Sequence, residues 1–174
     1  MNLEQIRIDF VAEQDRLVMR LASGDSSEIL LWLTRRCVKL LWPLLVKMAE
    51  SAPVIAQQPL PEARQALLGM ERESALSKAN FSKPYDAAGR ERPLGAEPIV
   101  VARINTGRNP EGKNVLVMLP QQGQGVTLAL DDVLLHGLCK LLQDVVGKSE
   151  WDMVLTLPTG PVAAAAEGTP RVLN

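Results

Sequence analysis

The chain carries one pattern twice, about a hundred residues apart, and this repeat constrains its fold more than any other feature. In each copy, two apolar segments joined by a turn lead to a helix-capping residue and then to an apolar helical segment. Leu17–Met19 aligns with Leu116–Met118, and Thr34 aligns with Asp131 once the second turn is shortened by two residues. A repeat indicates how many units a fold contains, so it is identified first.

The first copy is predicted to contain three strands and a helix. Ile6, Ile8 and Phe10 alternate with polar residues, which is the period of a strand with one buried face. Thr34 is suited to cap the helix, because its hydroxyl oxygen can accept a hydrogen bond from a free N–H of the first turn. The predicted elements cover residues 3–11, 16–21, 28–33 and 35–50.

The second copy is predicted to contain three strands, a helix and a last strand at a sheet edge. Asp131 is the predicted N-cap, and Gly147 stands where a helix C-cap is expected. A polar helix is predicted over 62–78 in the connecting segment. The elements of the second copy cover residues 99–104, 114–119, 126–130, 132–146 and 151–158.

These elements predict an α+β protein made of duplicated β-β-β-α units related by a pseudo-twofold axis. We expect antiparallel sheets, two apolar helices packed against each other, and both units together in one compact domain. The expected segments are the first unit (1–50), a linker with a polar helix (51–98), the second unit (99–158) and a flexible tail (159–174).

Composition and charge indicate an ordinary soluble protein. Hydrophobic residues make up 47% of the chain, charged residues 22%, and the net charge is −1. Cys37 and Cys139 lie in apolar helical patterns, so we expect buried free thiols in a reducing compartment. The sequence shows neither the pattern of a signal peptide nor a membrane-spanning run, and we expect a cytoplasmic protein.

The sequence offers little support for an enzyme. His136 is the only histidine and lies in an amphipathic helical pattern near Cys139, with no third group to orient a Cys–His pair. The loop at 122–125 fits a hairpin turn better than a phosphate-binding loop. No cluster has the spacing of metal ligands, and we expect no cofactor.

The outer sheet face suggests a binding function instead. If the inward residues pack under the helices, cationic side chains surround Trp32 on the other face, where bases can stack and guanidinium groups can pair with phosphates. The candidate residues are Arg7, Arg16, Arg20, Leu30 and Trp32, extended in the second copy by Arg103, Arg108 and Lys113. Tryptophan and arginine also dominate protein–protein interfaces, so the same face could instead bind a protein partner.

The segment Gly125–Leu142 reads Gly-Val-Thr-Leu-Ala-Leu-Asp-Asp-Val-Leu-Leu-His-Gly-Leu-Cys-Lys-Leu-Leu. It resembles the end of the positive cofactor four domain, and a duplicated arrangement resembles the Whirly proteins. The resemblance covers residues 99–146 and, less closely, 3–50. It implies binding of single-stranded DNA on the sheets and assembly through helices and strands. The run Leu31–Arg36 looks like that of uncharacterised bacterial proteins.

Taken together, these observations predict a non-enzymatic accessory protein that binds single-stranded DNA or RNA, from a bacterium or a phage. The alternative is an interaction or assembly subunit whose apolar sheet face binds a protein partner or a second copy, without nucleic acid. We expect no membrane partner.

Overall fold

The fold is seen in a computed structural model that describes residues 3–86 and 88–157. These residues form seven strands and four α-helices, with a short 3-10 turn at Ala12–Gln14. The elements are β1 (Leu3–Val11), β2 (Arg16–Ser23), β3 (Glu28–Thr34), α1 (Arg35–Glu50), α2 (Pro53–Ala56), α3 (Pro61–Lys78), β4 (Ile99–Val100), β5 (Arg103–Arg108), β6 (Asn114–Leu119), β7 (Val126–Leu130) and α4 (Asp132–Lys148).

The strands form two sheets. Sheet 1 has the order β1-β2-β3-β4, with β4 parallel to β3 and the other pairs antiparallel, and sheet 2 is the antiparallel array β5-β6-β7. This arrangement confirms the α+β class. The single strand predicted over 99–104 is wrong, because β4 joins sheet 1 while β5 starts sheet 2.

Each sheet contains an antiparallel three-strand array that leads into an N-capped helix. The Thr34 hydroxyl accepts a hydrogen bond from the Cys37 N–H at 3.1 Å, and an Asp131 carboxylate oxygen accepts one from the Leu134 N–H at 2.8 Å. The strand registers differ, however. In the first copy, Leu17 lies opposite Leu33, one residue before the cap Thr34. In the second copy, the aligned residue Leu116 lies opposite Leu128, three residues before the cap Asp131. A pseudo-twofold relation between the units remains a prediction.

The two arrays share one core because each long apolar helix contacts strands of both sheets. Helix α1 packs against β3 and β5, helix α4 packs against β1 and β7, and the two helices contact each other. Leu17 of β2 and Leu41 of α1 are almost fully buried in a single cluster with Leu116 of β6 and Leu138 of α4. The hydrophobic effect therefore stabilises both arrays together.

The segment after α4 packs without forming a strand. In residues 151–157 the chain is irregular, although a strand was predicted there. Its position is fixed by side chains: the Trp42 indole N–H donates to the Thr156 carbonyl at 3.1 Å, and the Gln143 amide donates to the Leu155 carbonyl at 2.7 Å. The C-cap of α4 is Ser149 rather than Gly147, and the tail predicted over 159–174 lies outside the described residues.

Candidate nucleic-acid interface

The outward side of sheet 1 brings four of the predicted residues to one face. Arg7 lies opposite Arg20 on the neighbouring strand, Arg16 lies opposite Thr34, and Trp32 lies opposite Val18. Residues between them along each strand point to the helices, as the two-residue period of a strand requires. We call the surface formed by Arg7, Asp9, Arg16, Arg20 and Trp32 the arginine face.

Asp9 neutralises part of the charge on the arginine face. Two nitrogens of Arg7 donate to its carboxylate at 2.8–3.1 Å, and the Nε of Arg20 lies 3.9 Å from it. The hydrogen bonds from Arg7 and the charge of Asp9 raise the pKa of Arg7. Arg16 makes no ion pair within residues 3–86 and 88–157. The face keeps a positive balance, with three arginines and one aspartate.

Trp32 is the tryptophan that a ligand can reach. Its side chain is partly exposed, whereas Trp42 is 9% and Trp151 is 1% exposed. Arg7 is exposed and Arg20 is partly exposed beside it. Aromatic and cationic side chains are thus available together on one sheet surface.

Leu30 does not belong to this accessible surface. Its exposure is only 5%, and Val18 on the same outward side is 4% exposed. This corrects the expectation that Leu30 contacts a ligand. Two residues before Leu30 on β3, Glu28 is held by a loop that crosses this end of the sheet, which the sequence did not predict.

This loop, residues 84–86 and 88–92, is called the strap. The buried carboxylate of Glu28 accepts a hydrogen bond from the Tyr85 hydroxyl at 2.8 Å and another from the Arg92 guanidinium at 2.9 Å. Arg90 donates to the Ser23 carbonyl at 2.8 Å. Burial, followed by the hydrogen bond to Glu28, raises the pKa of Tyr85. The sequence feature that could have indicated this contact is the position of Glu28, a charged residue at the start of a strand that is apolar on both faces.

Arg103, Arg108 and Lys113 do not lie on the strands of sheet 1: the first two are in β5 of sheet 2, and Lys113 precedes β6. Arg103 is exposed on the outward side of sheet 2. Arg108 donates to the carbonyl and hydroxyl oxygens of Ser51 at 2.8 and 2.9 Å, just after α1. Lys113 follows the turn before β6 and lies 3.5 Å from Glu111. The structure therefore gives Arg108 a helix-capping contact.

A further cation, absent from the predicted set, lies just after the end of β3. Arg36 comes two residues after Thr34, which ends β3 and pairs with Arg16, and Arg36 is exposed. In the described part of the chain it makes no ion pair, whereas Arg35 lies 3.7 Å from Asp15. The sequence feature that could have indicated this cation is the pair of arginines directly after the helix cap Thr34. Arg36 therefore adds an exposed positive charge just after the end of β3.

The groups considered for catalysis are buried. His136 is 2% exposed and both predicted free thiols are buried, which confirms the expectation for Cys37 and Cys139. Burial raises the pKa of Cys37 to about 11 and that of Cys139 to about 12, so neither thiol ionises near neutral pH. Within the described ranges, no three His, Cys, Asp or Glu side chains are arranged to hold a metal ion.

Comparison with known proteins adds no relative. No family model, no curated protein and no solved structure matches this chain. The resemblance to the positive cofactor four and Whirly domains remains a prediction. Among the helices of residues 3–86 and 88–157, none has the length and apolar character needed to cross a membrane.

Proposed function

We propose that this protein is a non-enzymatic factor that binds single-stranded nucleic acid on the arginine face. The observation that carries the proposal is the strand register, which places Arg7, Arg16, Arg20 and Trp32 on one side of sheet 1. In this proposal it acts as a small accessory protein in the cytoplasm of a bacterium or of a phage-infected cell.

The chemistry of the face suits a strand bound through its phosphates and one base. The arginines pair with phosphates, and a base stacks on the exposed part of Trp32, an interaction that tolerates any sequence. Asp9 holds Arg7 in place but repels phosphate, so we expect modest affinity that falls as salt rises.

Titration of labelled oligo-dT, followed by fluorescence anisotropy, tests the proposal. The double variant Arg16→Ala/Arg20→Ala should weaken binding roughly a hundredfold or more, since it removes two charge-assisted contacts of about 1.5–3 kcal/mol each. Each lost phosphate contact should also reduce the slope of log K against log salt by about 0.7. The matched control Arg103→Ala/Lys113→Ala removes two exposed cations, one from β5 and one from the residue before β6, and should bind like the wild type.

Tryptophan fluorescence gives a second measurement of the same binding. Stacking on Trp32 should quench the exposed tryptophan signal, and Trp32→Leu should remove the quenching because the other two tryptophans are buried. The proposal is wrong if oligo-dT does not bind at tens of micromolar, or if the arginine double variant binds as tightly as the control.

A protein partner is the second candidate, favoured by one observation. Val100 lies opposite Trp32 in the parallel pair β3–β4 and is 42% exposed, so an apolar contact surface adjoins the arginines. Tryptophan, arginine and an exposed aliphatic side chain together are typical of an interface centre. Nucleic-acid binding should withstand Val100→Ser, whereas docking of a protein on this surface should weaken.

A further inference from the structure

Strand β1 forms a long edge of sheet 1. It has nine residues and pairs with β2 on one side only. In the described part of the chain, no backbone hydrogen bond joins its other side to another segment. An open edge presents unpaired N–H and C=O groups that can pair with another strand.

Among the described residues, the segment 83–86 covers only the first residues of this edge. The Gln5 side chain donates to the Pro84 carbonyl at 3.1 Å and accepts from the Asp86 N–H at 3.2 Å, while Lys83 lies 3.7 Å from Glu4. These contacts hold residues 83–86 against the start of β1. The part from Ile6 onward is not held in this way.

An apolar groove lies beside the same edge. It has a volume of about 400 Å³ and runs between β1, helix α4 and the segment that includes Phe81. Ile6 and Ile8 line it from the strand, and Leu134 and Leu141 line it from the helix. Inward side chains of a strand added next to β1 would enter this groove.

We propose that the added strand is β1 of a second copy of this chain. The two strands pair antiparallel across a twofold axis, so that four strands from each chain form one continuous sheet. Such an interface is isologous, which means that a residue and its partner exchange roles across the axis. The strand must therefore be complementary to itself.

The charges of β1 and the contacts at its start favour one register for this pairing. A register centred on Ile6 would use Glu4 and Gln5, which residues 83–86 already contact, and one centred on Phe10 would pair only residues 9–11 of the strand. Side chains stay on their own faces only if outward residues lie opposite outward residues. When Ile8 lies opposite the partner's Ile8, each chain's Arg7 lies opposite the partner's Asp9, which gives two pairs of opposite charge. Ile6 then lies opposite the partner's Phe10. A shift that centres the pairing on Arg7 or on Asp9 brings like charges together, which destabilises an antiparallel pair.

The contact of Arg7 with its own Asp9 is compatible with this register. Nε and Nη2 of Arg7 donate to Asp9, which leaves further N–H groups for a second carboxylate. In the dimer the two arginine faces lie on the same side of one sheet. Formation of this dimer does not require nucleic-acid binding.

Charge reversal tests both the dimer and its register. Analytical ultracentrifugation should give twice the 19.0 kDa mass of one chain, with a concentration-dependent monomer. Arg7→Asp alone and Asp9→Arg alone each place like charges opposite each other twice, and should raise the dissociation constant roughly tenfold or more. Mixing these two variants restores both opposite-charge pairs and should give a heterodimer. The double variant Arg7→Asp/Asp9→Arg should form a homodimer again.

The control is Arg103→Asp, which makes the same charge change on sheet 2 and should dimerise like the wild type. Circular dichroism of each variant checks that the chain remains folded, since the side chains of Arg7 and Asp9 are 52% and 36% exposed. A monomer from micromolar to millimolar concentration would overturn the proposal. So would a dimer that withstands both single reversals, or single variants that fail to associate when mixed.

Discussion

At the scale of single residues, Glu28 shows how a buried charge fixes a loop. A carboxylate that is 1% exposed loses its hydration, and hydrogen bonds from Tyr85 and Arg92 replace that hydration. Both partners come from the strap, so the charge on β3 determines where the strap lies. Removing one partner would leave the buried carboxylate partly unsatisfied, which is costly.

His136 predicts a pH dependence of stability. Burial lowers its pKa; nearby Arg72 also lowers it and Asp132 raises it, and its Nδ1 has no hydrogen-bond partner in the described part of the chain. Because the folded pKa lies below the unfolded value of about 6.5, the unfolded state binds more protons below that pH. The free energy of unfolding should be unaffected by this group above pH 6.5 and fall below it, by at most about 1.4 kcal/mol per pH unit.

Urea denaturation between about pH 5 and pH 8 measures this effect. The control His136→Phe removes the only histidine and should lose the slope that begins near pH 6.5, while the carboxylates still titrate at lower pH. Equal slopes for the wild type and the variant would contradict the assignment.

At the scale of elements, the two helix caps should contribute similarly to stability. Thr34 and Asp131 each bind one N–H of the first turn of α1 or α4. Thr34→Ala and Asp131→Ala should each lower the free energy of unfolding by about 1 kcal/mol. Chemical denaturation measures the loss. Thr34→Ser and Asp131→Asn keep a capping oxygen and should lose much less; an equal loss would show that capping is not the cause.

At the scale of the whole molecule, the two arrays should not fold separately. A fragment of residues 1–60 lacks α4, which packs against β1, and a fragment of residues 99–174 lacks α1, which packs against β5. Each fragment would expose apolar surface that the other covers in the whole chain. This exposure would cost about 25 cal/mol of folding free energy per Å². Circular dichroism and amide NMR dispersion should show each fragment unfolded by itself. A cooperative unfolding transition in either fragment would contradict this expectation.

The sequence alone determined the features that depend on near neighbours. Alternation of apolar and polar residues defines β1, and a capping side chain three residues before a free N–H defines the starts of α1 and α4. The α+β class follows from the order of such elements. The same local pattern placed Arg7, Arg16, Arg20 and Trp32 on one face, because side chains alternate along a strand.

Only the tertiary structure decided the features whose partners are distant in the chain. Glu28 binds Tyr85 and Arg92, which are 57 and 64 residues away, and no local period encodes such contacts. The same holds for the division of the predicted strand 99–104 between two sheets and for the contact of Arg108 with Ser51. The open edge of β1, where we place a second copy, likewise depends on which strands pair, and long-range packing determines that pairing.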